Sequence, residues 1–253
     1  MKKIIDFTVK ENRTLNGDTF LLVLHSPELP EIKAGQFVNV KVEGSSSTFL
    51  RRPISVHDVE SDKGLLYLMI KIAGNGTAQL AKLKPEDKLN VLLPLGNWFT
   101  QPQTGRCLLV GGGVGVAPLL YLAKELKAKG MQPTVLIGTR SAKDIVLKEE
   151  FEKYATVYYA TEDGSYGEKG YPTQHSILKE HFDRIFCCGP SPMMKAVAQY
   201  AASQHIDCEV SLENKMACGV GACLCCVSDT KEGHKCVCTD GPVFNINDLK
   251  WQI

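Results

Sequence analysis

The pattern of apolar and polar positions changes character once along the chain. Through the first hundred residues apolar residues come in short runs: FLLVLHS (20–26), FVNVKV (37–42), PISVHD (53–58), LLYLMIKI (65–72) and KLNVLLP (88–94). Most are rich in aliphatic and β-branched residues, with Gly, Pro, Ser and Asp between them. That grammar predicts the strands of a small antiparallel β-barrel or sandwich. One short helix is expected over 77–83, and the Gly-Ser-Ser-Ser-Thr stretch at 44–48 reads as a loop.

Past a linker at 101–105 (QPQTG) the pattern alternates. Strands are expected over 106–112, 133–140, 156–163 and 184–189, and helices over 116–130, 147–154, 174–182 and 192–204. The segment 208–214 can supply a last strand. Alternation of this kind predicts an α/β domain built on a parallel sheet with helices on both faces. From Lys215 the chain turns Cys- and Gly-rich. The expected organisation is therefore multidomain: a β-barrel over 1–100, an α/β parallel-sheet domain over 101–210 and a small Cys-rich domain over 211–253.

Composition narrows the picture. With 44% hydrophobic and 23% charged residues in 253, the chain is globular; disorder, collagen and coiled coil are excluded for it as a whole. A net charge of +1 supplies no field to recruit nucleic acid or an anionic membrane. No apolar run approaches the roughly 20 residues of a membrane span. The N-terminal stretch meets charge at Asp6 and Lys10 and has no apolar core of signal-peptide length. A cytoplasmic protein is expected.

The cysteines carry the strongest chemical signal. Of 10, six (Cys218, Cys223, Cys225, Cys226, Cys236, Cys238) crowd into the tail. Cys107, Cys187 and Cys208 lie in or beside apolar segments and read as small buried hydrophobes. In the tail, Cys218-x4-Cys223-x2-Cys226 followed by Cys238 has the spacing of a plant-type 2Fe–2S site. Gly219 and Gly221 let the loop fold closely enough for backbone amides to point at sulfur, which helps set a cluster's potential. A four-cysteine zinc site is the competing reading, although zinc ribbons favour two C-x2-C knuckles. Disulfides are disfavoured in a cytosolic chain. Cys225 and Cys236 are surplus to four ligands, and Cys236 is expected on the opposite strand face from Cys238.

Two further constellations are weaker alone. GGGVGVAP (111–118) follows a strand and opens a helix, an arrangement that can hold a phosphate, though Pro118 stands where the strict dinucleotide fingerprint has its third Gly. The segments Gly138-Thr139-Arg140 and Cys188-Gly189-Pro190 end parallel strands on the side where open α/β sheets bind ligands. Arg140 can meet a 2′-phosphate, so both NAD and NADP stay open. Arg51-Arg52-Pro53-Ile54-Ser55 and Gly74-Asn75-Gly76-Thr77 can form a diphosphate clamp; by themselves they also read as a solvated basic pair and a common turn.

In this order, R-P-I-S, M-I-K, G-N-G-T, GGGVGVAPL and CGP-x-PMM resemble the ferredoxin-NADP reductase superfamily. With the Cys tail and VCTDGPVF behind them, the whole chain is similar to the electron-transfer subunits of dihydroorotate dehydrogenase B. The resemblance implies FAD held by Arg52, Pro53, Ile54 and Ser55, by Met69, Ile70 and Lys71, and by Gly76 with Thr77. It implies NAD over Gly112, Gly113 and Gly115, with Cys188, Gly189 and Pro190 near the hydride path. It implies cluster ligands Cys218, Cys223, Cys226 and Cys238, and assigns no catalytic side chain. The implied partner is an FMN-containing dihydroorotate dehydrogenase catalytic subunit, in a heterotetramer of two of each, serving de novo pyrimidine (UMP) biosynthesis. The sequence departs from that pattern at Cys225, usually Gly, where the x2 spacing still favours Cys226, and at Trp98 in PLGNWF, where a small residue is expected. Two alternatives stay open: the small flavin and iron–sulfur subunit of another NAD(P)H-linked reductase, of ferredoxin:NADP reductase or sulfide dehydrogenase type, and a zinc-stabilised nucleotide-binding module without a redox role.

Overall fold

The first strand hides its period behind charge. Over β1 (Lys3–Thr14) Ile5, Phe7 and Val9 are buried while Lys3, Asp6, Lys10 and Glu11 face outward. This alternation makes a half-buried strand, one absent from the expected set. The computed structural model describes residues 1–45 and 47–251. They divide into two compact units, one of Met1–Trp98, Glu213–Ser228 and His234–Pro242, the other of Phe99–Leu212, Asp229–Gly233 and the chain from Val243.

In the first unit β1 is joined by β2 (Thr19–His25), β3 (Phe37–Val40), β4 (Arg52–Ser55), β5 (Asp58–Glu60), β6 (Leu65–Lys71) and β7 (Lys88–Leu95), with α1 (Asn75–Leu80) after β6. The order β4-β3-β7-β1-β2-β6-β5 is antiparallel throughout. The single strand expected over 53–58 is two strands at opposite edges of this sheet. Only Val56 and His57 separate them, and two residues span no more than about 11 Å between flanking Cα atoms. The sheet must therefore curl until its edges nearly meet. The linking amides show this: Val56 N–H donates to Gln36 (3.1 Å) and His57 N–H to Tyr67 (2.9 Å). The antiparallel barrel is thus a strongly curled, nearly closed sheet.

The second unit holds β8 (Cys107–Gly112), α2 (Ala117–Ala128), β9 (Thr134–Thr139), α3 (Lys148–Glu152), β10 (Thr156–Thr161), β11 (Glu168–Lys169), β12 (Arg184–Cys188), α4 (Ser191–Ser203) and β13 (Asp207–Ser211). The hairpin of β14 (Val227–Thr230) and β15 (Gly233–Cys236) has residues assigned to both units, and β16 (Val243–Asn245), in the second, lies antiparallel on β13. The remaining neighbours in the order β11-β10-β9-β8-β12-β13-β16 are parallel. The chain winds outward from β8 to β10 and returns to β12 on the other side. The boundary between β8 and β12 is therefore the switch point at which such sheets bind ligands.

The helix expected over 174–182 does not form. Two 3-10 turns stand there, Pro172–Gln174 and Ser176–Lys179. His175 between them is extended (ψ 140°), and its ring Nδ1 accepts the Ile177 N–H at 3.0 Å, so its side chain supplies the bond a continuous helix would have taken from a carbonyl. Cys107, Cys187 and Cys208 are buried at 2% exposure or less, as read from sequence. Burial pushes the Cys107 thiol up to about 11 and raises Cys187 and Cys208 as well.

Candidate functional site

The two adjacent arginines are separated by the barrel. Arg51 reaches along the sheet and donates to the carbonyls of Asn39 (3.2 Å) and Asn90 (3.1 Å). Arg52 instead lines a cavity of about 340 Å³ with Ser47, Thr48, Ala73, Gly74, Asn75, Gly76 and Thr77. The Thr77 hydroxyl accepts the Ala73 N–H (2.8 Å) and the Gly74 N–H (3.2 Å), fixing the bend from β6 into α1. A Cβ at Gly76 would stand 2.7 Å from Arg52 Nε, so the bare glycine is what lets the guanidinium lie across the turn. A cavity with one cation and hydroxyl, amide and backbone donors fits an anionic group such as a diphosphate. β4 is an edge strand, half-buried along its length, where Pro53 costs no second ladder. Met69 and Ile70 are buried on β6, and Lys71 is exposed and paired with Asp18 at 3.1 Å. The sequence motifs mark Arg52 and Gly74 to Thr77 of this cavity. Ser47 and Thr48 carry no such mark, because a Ser-rich loop looks the same whether or not it borders a site.

In the second unit the glycine-rich turn and the CGP turn meet at the switch point. A Cβ at Gly115 would come within 2.5 Å of the Cys188 carbonyl oxygen and the Gly189 Cα, and one at Gly112 within 2.5 Å of Met193 Sδ and 2.9 Å of Pro190 Cδ. Gly113 has φ +54° with open space before it. Pro118 lies in the first turn of α2, where its missing N–H would be unpaired in any case. Gly112, Gly113, Gly115, Cys188, Gly189 and Pro190 thus form one surface at the carboxyl ends of β8 and β12. Arg140 is exposed just beyond β9.

The tail cysteines return to the first unit. Gly219 (φ +71°) and Gly221 (φ +87°) turn the loop so that Val220 N–H points at Cys218 Sγ (3.4 Å). The backbone amides of Val220, Cys223 and Ala222 together hold the Cys218 thiol well below its ordinary range, at about 6. Cys238 N–H donates to Cys226 Sγ (3.4 Å), and burial with the neighbouring Cys226 raises the Cys238 thiol. Asn214 braces Cys226 through the carbonyls of Cys226 (3.3 Å) and Val227 (3.2 Å). Gly221 packs on Thr239, which brings the loop against the 236–240 turn.

Cys218 lies beside Cys223 and Cys226 beside Cys238, and among the described residues no three His, Cys, Asp or Glu side chains are gathered to hold a metal ion. Amides aimed at sulfur and an all-thiol donor set nonetheless fit an iron–sulfur group. All ten cysteines are free. Cys225 is exposed, and Cys236 is buried beside Cys226. The expectation that Cys236 and Cys238 share a strand is corrected: β15 ends at Cys236, and Cys238 lies in the turn that Asp240 ties back to the Cys236 N–H (2.7 Å). The DGP stretch then anchors this turn to the end of β7, with Asn97 N–H on the Gly241 carbonyl (2.6 Å) and Asn97 Nδ2 on the Asp240 carbonyl (2.9 Å).

Comparison with known proteins places each segment. Residues 213–250 match the model of the iron–sulfur cluster binding domain of dihydroorotate dehydrogenase B, residues 109–199 an oxidoreductase NAD-binding domain, and residues 6–99 an oxidoreductase FAD-binding domain. The chain is 36% identical to the electron transfer subunit of dihydroorotate dehydrogenase B (NAD(+)) of Fusobacterium nucleatum subsp. nucleatum, over 98% of this chain and 99% of that one. It is 37% identical to the protein of that name from Desulforamulus reducens, over the full length of both. Among solved structures, NADH-dependent reduced ferredoxin-NADP oxidoreductase, solved for its flavin-based electron bifurcation, superimposes with a TM-score of 0.89 at 31% identity, over 97% of this chain and 90% of that one.

Proposed function

The chain belongs to the family of dihydroorotate dehydrogenase B electron transfer subunits, and on that footing we propose that it passes electrons between NAD and an FMN-containing dihydroorotate dehydrogenase catalytic subunit. FAD, NAD and an iron–sulfur cluster are its cofactors. When bound, nicotinamide exchanges two electrons as hydride, a 2Fe–2S cluster exchanges one at a time, and flavin does both, which sets the order in which the three are used.

The observation that carries this reading is that the Arg52 cavity and the amide-lined cysteine loop belong to one compact unit. Arg52 neutralises the FAD diphosphate, with the Gly76–Thr77 turn beside it. The β4 edge from Pro53 to Ser55, and Met69, Ile70 and Lys71 on β6, orient the flavin ring. Gly112, Gly113 and Gly115 seat the dinucleotide, and the Cys188-Gly189-Pro190 turn lines the hydride path. Cys218, Cys223, Cys226 and Cys238 hold the cluster. The segments 1–100, 101–210 and 211–253 divide the FAD, NAD and cluster roles.

No helix among the described residues is long and apolar enough to cross a membrane. The reading places the chain in the cytoplasm, working with its partner subunit. The working assembly is a heterotetramer of two chains of each kind, acting in de novo pyrimidine biosynthesis.

The test is what the chain does alone and with whom it purifies. Alone it should oxidise NADH with an artificial acceptor and leave dihydroorotate untouched; with the co-purified FMN subunit it should reduce NAD+ with dihydroorotate. Dihydroorotate turnover by the chain alone would overturn the reading. The likeness to the ferredoxin-NADP oxidoreductase favours one second reading, the small subunit of such a reductase. Co-purification with that kind of partner, and no dihydroorotate activity, would select it.

A further inference from the structure

Asn39 is fully buried on β3, and neither its side-chain oxygen nor its nitrogen has a hydrogen-bond partner among the described residues. Its strand neighbours Phe37, Val38 and Val40 are apolar and equally buried, so packing alone calls for an aliphatic residue at 39. A buried amide with no partner costs stability at both ends. What it faces is specific. A Cβ on Gly219 would stand 2.7 Å from Asn39 Nδ2 and 3.5 Å from its Cγ. The carboxamide therefore occupies the place a side chain would take in the cysteine loop, one residue from Cys218. Phe37, on the same face of β3 by the two-residue period, lies 3.1 Å from the equivalent point on Gly96. On its other side Asn39 is paired in register with Pro53 of β4, and its carbonyl is held by Arg51.

We propose that Asn39 is a positioning residue for the iron–sulfur cluster: its Nδ2 donates a hydrogen bond to sulfur at the Cys218 edge of the bound centre and raises its reduction potential. The inference rests on the cluster assignment made above. A donor aimed at sulfur stabilises the more negative, reduced state. Gly219 is part of the same device, because any larger residue there would push the amide away. The placement of Asn39 opposite Pro53 sets this adjustment on the strand beside the flavin edge, so it acts on the electron exchange between FAD and cluster and on neither substrate directly.

The experiment is a potentiometric titration of the full cofactor-loaded chain, followed by the electron paramagnetic resonance signal of the reduced cluster, with the flavin midpoint as internal control. Asn39→Leu and the smaller Asn39→Val keep an apolar strand and remove the donor. The expected result is a retained cluster whose reduced-to-oxidised ratio at fixed potential falls about tenfold, a midpoint lower by about 59 mV for one electron, with the flavin midpoint unmoved. Coincident cluster midpoints in wild type and variants would overturn the inference, leaving the cluster assignment intact. Loss of the cluster or of the fold in both variants would assign Asn39 a structural role and overturn it too. Absence of any iron–sulfur signal from reduced wild type would instead sink the cluster assignment itself.

Discussion

Arg52 and Gly76, on different elements 24 positions apart, are fitted to one another: the Arg52 Nε occupies the space that any side chain at 76 would need, 2.7 Å from where its Cβ would be. The cation and the turn that border the cavity are thus one feature, and either half can be removed separately.

Arg52→Ala is expected to weaken FAD binding and leave the cluster bound. Charge-assisted hydrogen bonds contribute about 1.5–3 kcal/mol, or about 10–100-fold in Kd at roughly 1.4 kcal/mol per decade. Gly76→Val should do the same by displacing the guanidinium. Arg51→Ala is the contrast: it leaves the carbonyls of Asn39 and Asn90 without that donor and should cost about 1–3 kcal/mol of stability with flavin affinity little changed. Flavin-to-protein ratios and thermal unfolding separate the three; full flavin retention in Arg52→Ala would remove it from the clamp.

Gly115→Val tests the nucleotide surface. Its nearest obstacles are backbone atoms, the Cys188 oxygen and Gly189 Cα, which cannot rotate away. Overpacking of this kind costs about 1–3 kcal/mol, so KM for NADH with an artificial acceptor should rise roughly tenfold or more. FAD and iron contents should not change. An unaltered KM would move the dinucleotide off this turn.

The ligand set is tested by serine substitution. Cys226→Ser should lose or badly destabilise the cluster, since Cys226 is buried, receives the Cys238 N–H and completes the C-x4-C-x2-C spacing. Cys225→Ser removes an exposed thiol and should keep it. Cys236→Ser should keep it as well, which is the sharper test because Cys236 is buried beside Cys226. Iron content and the visible spectrum read the outcome; an essential Cys225 would shift the ligand by one position.

Leu224 is 65% exposed and Val220 40% exposed on the cysteine loop, and Leu224 adopts a left-handed φ of +57° that turns it outward at a cost a glycine would avoid. Packing over the cysteines does not explain that exposure. Leu224→Glu is expected to weaken association with the catalytic subunit by about tenfold, the scale of one buried apolar side chain at an interface, with the cluster spectrum intact. Unchanged association in a titration with that subunit would place the interface elsewhere.

Chemistry that lies within a few neighbouring residues is legible in the chain before it folds. Three cysteines at fixed spacing, glycines between them, a glycine-rich turn after a strand and the RPIS and GNGT stretches are local, because a loop's reach and a turn's backbone freedom are set by adjacent residues. The alternation of strands and helices past residue 105 was legible for the same reason. Local pattern cannot encode the contacts made between distant segments. Adjacent Arg51 and Arg52 look alike until the barrel's register sends one to the carbonyls of Asn39 and Asn90 and the other to a cavity. The 53–58 run looks like one strand until curling the sheet divides it between two edges. Asn39 reads as a polar residue in a strand, and only the return of the chain 180 residues later, with Gly219 laid against it, shows a buried amide facing the cysteine loop. Those outcomes depend on which distant segments come to share a surface, and that is fixed by the burial of the whole core rather than by any short stretch of it.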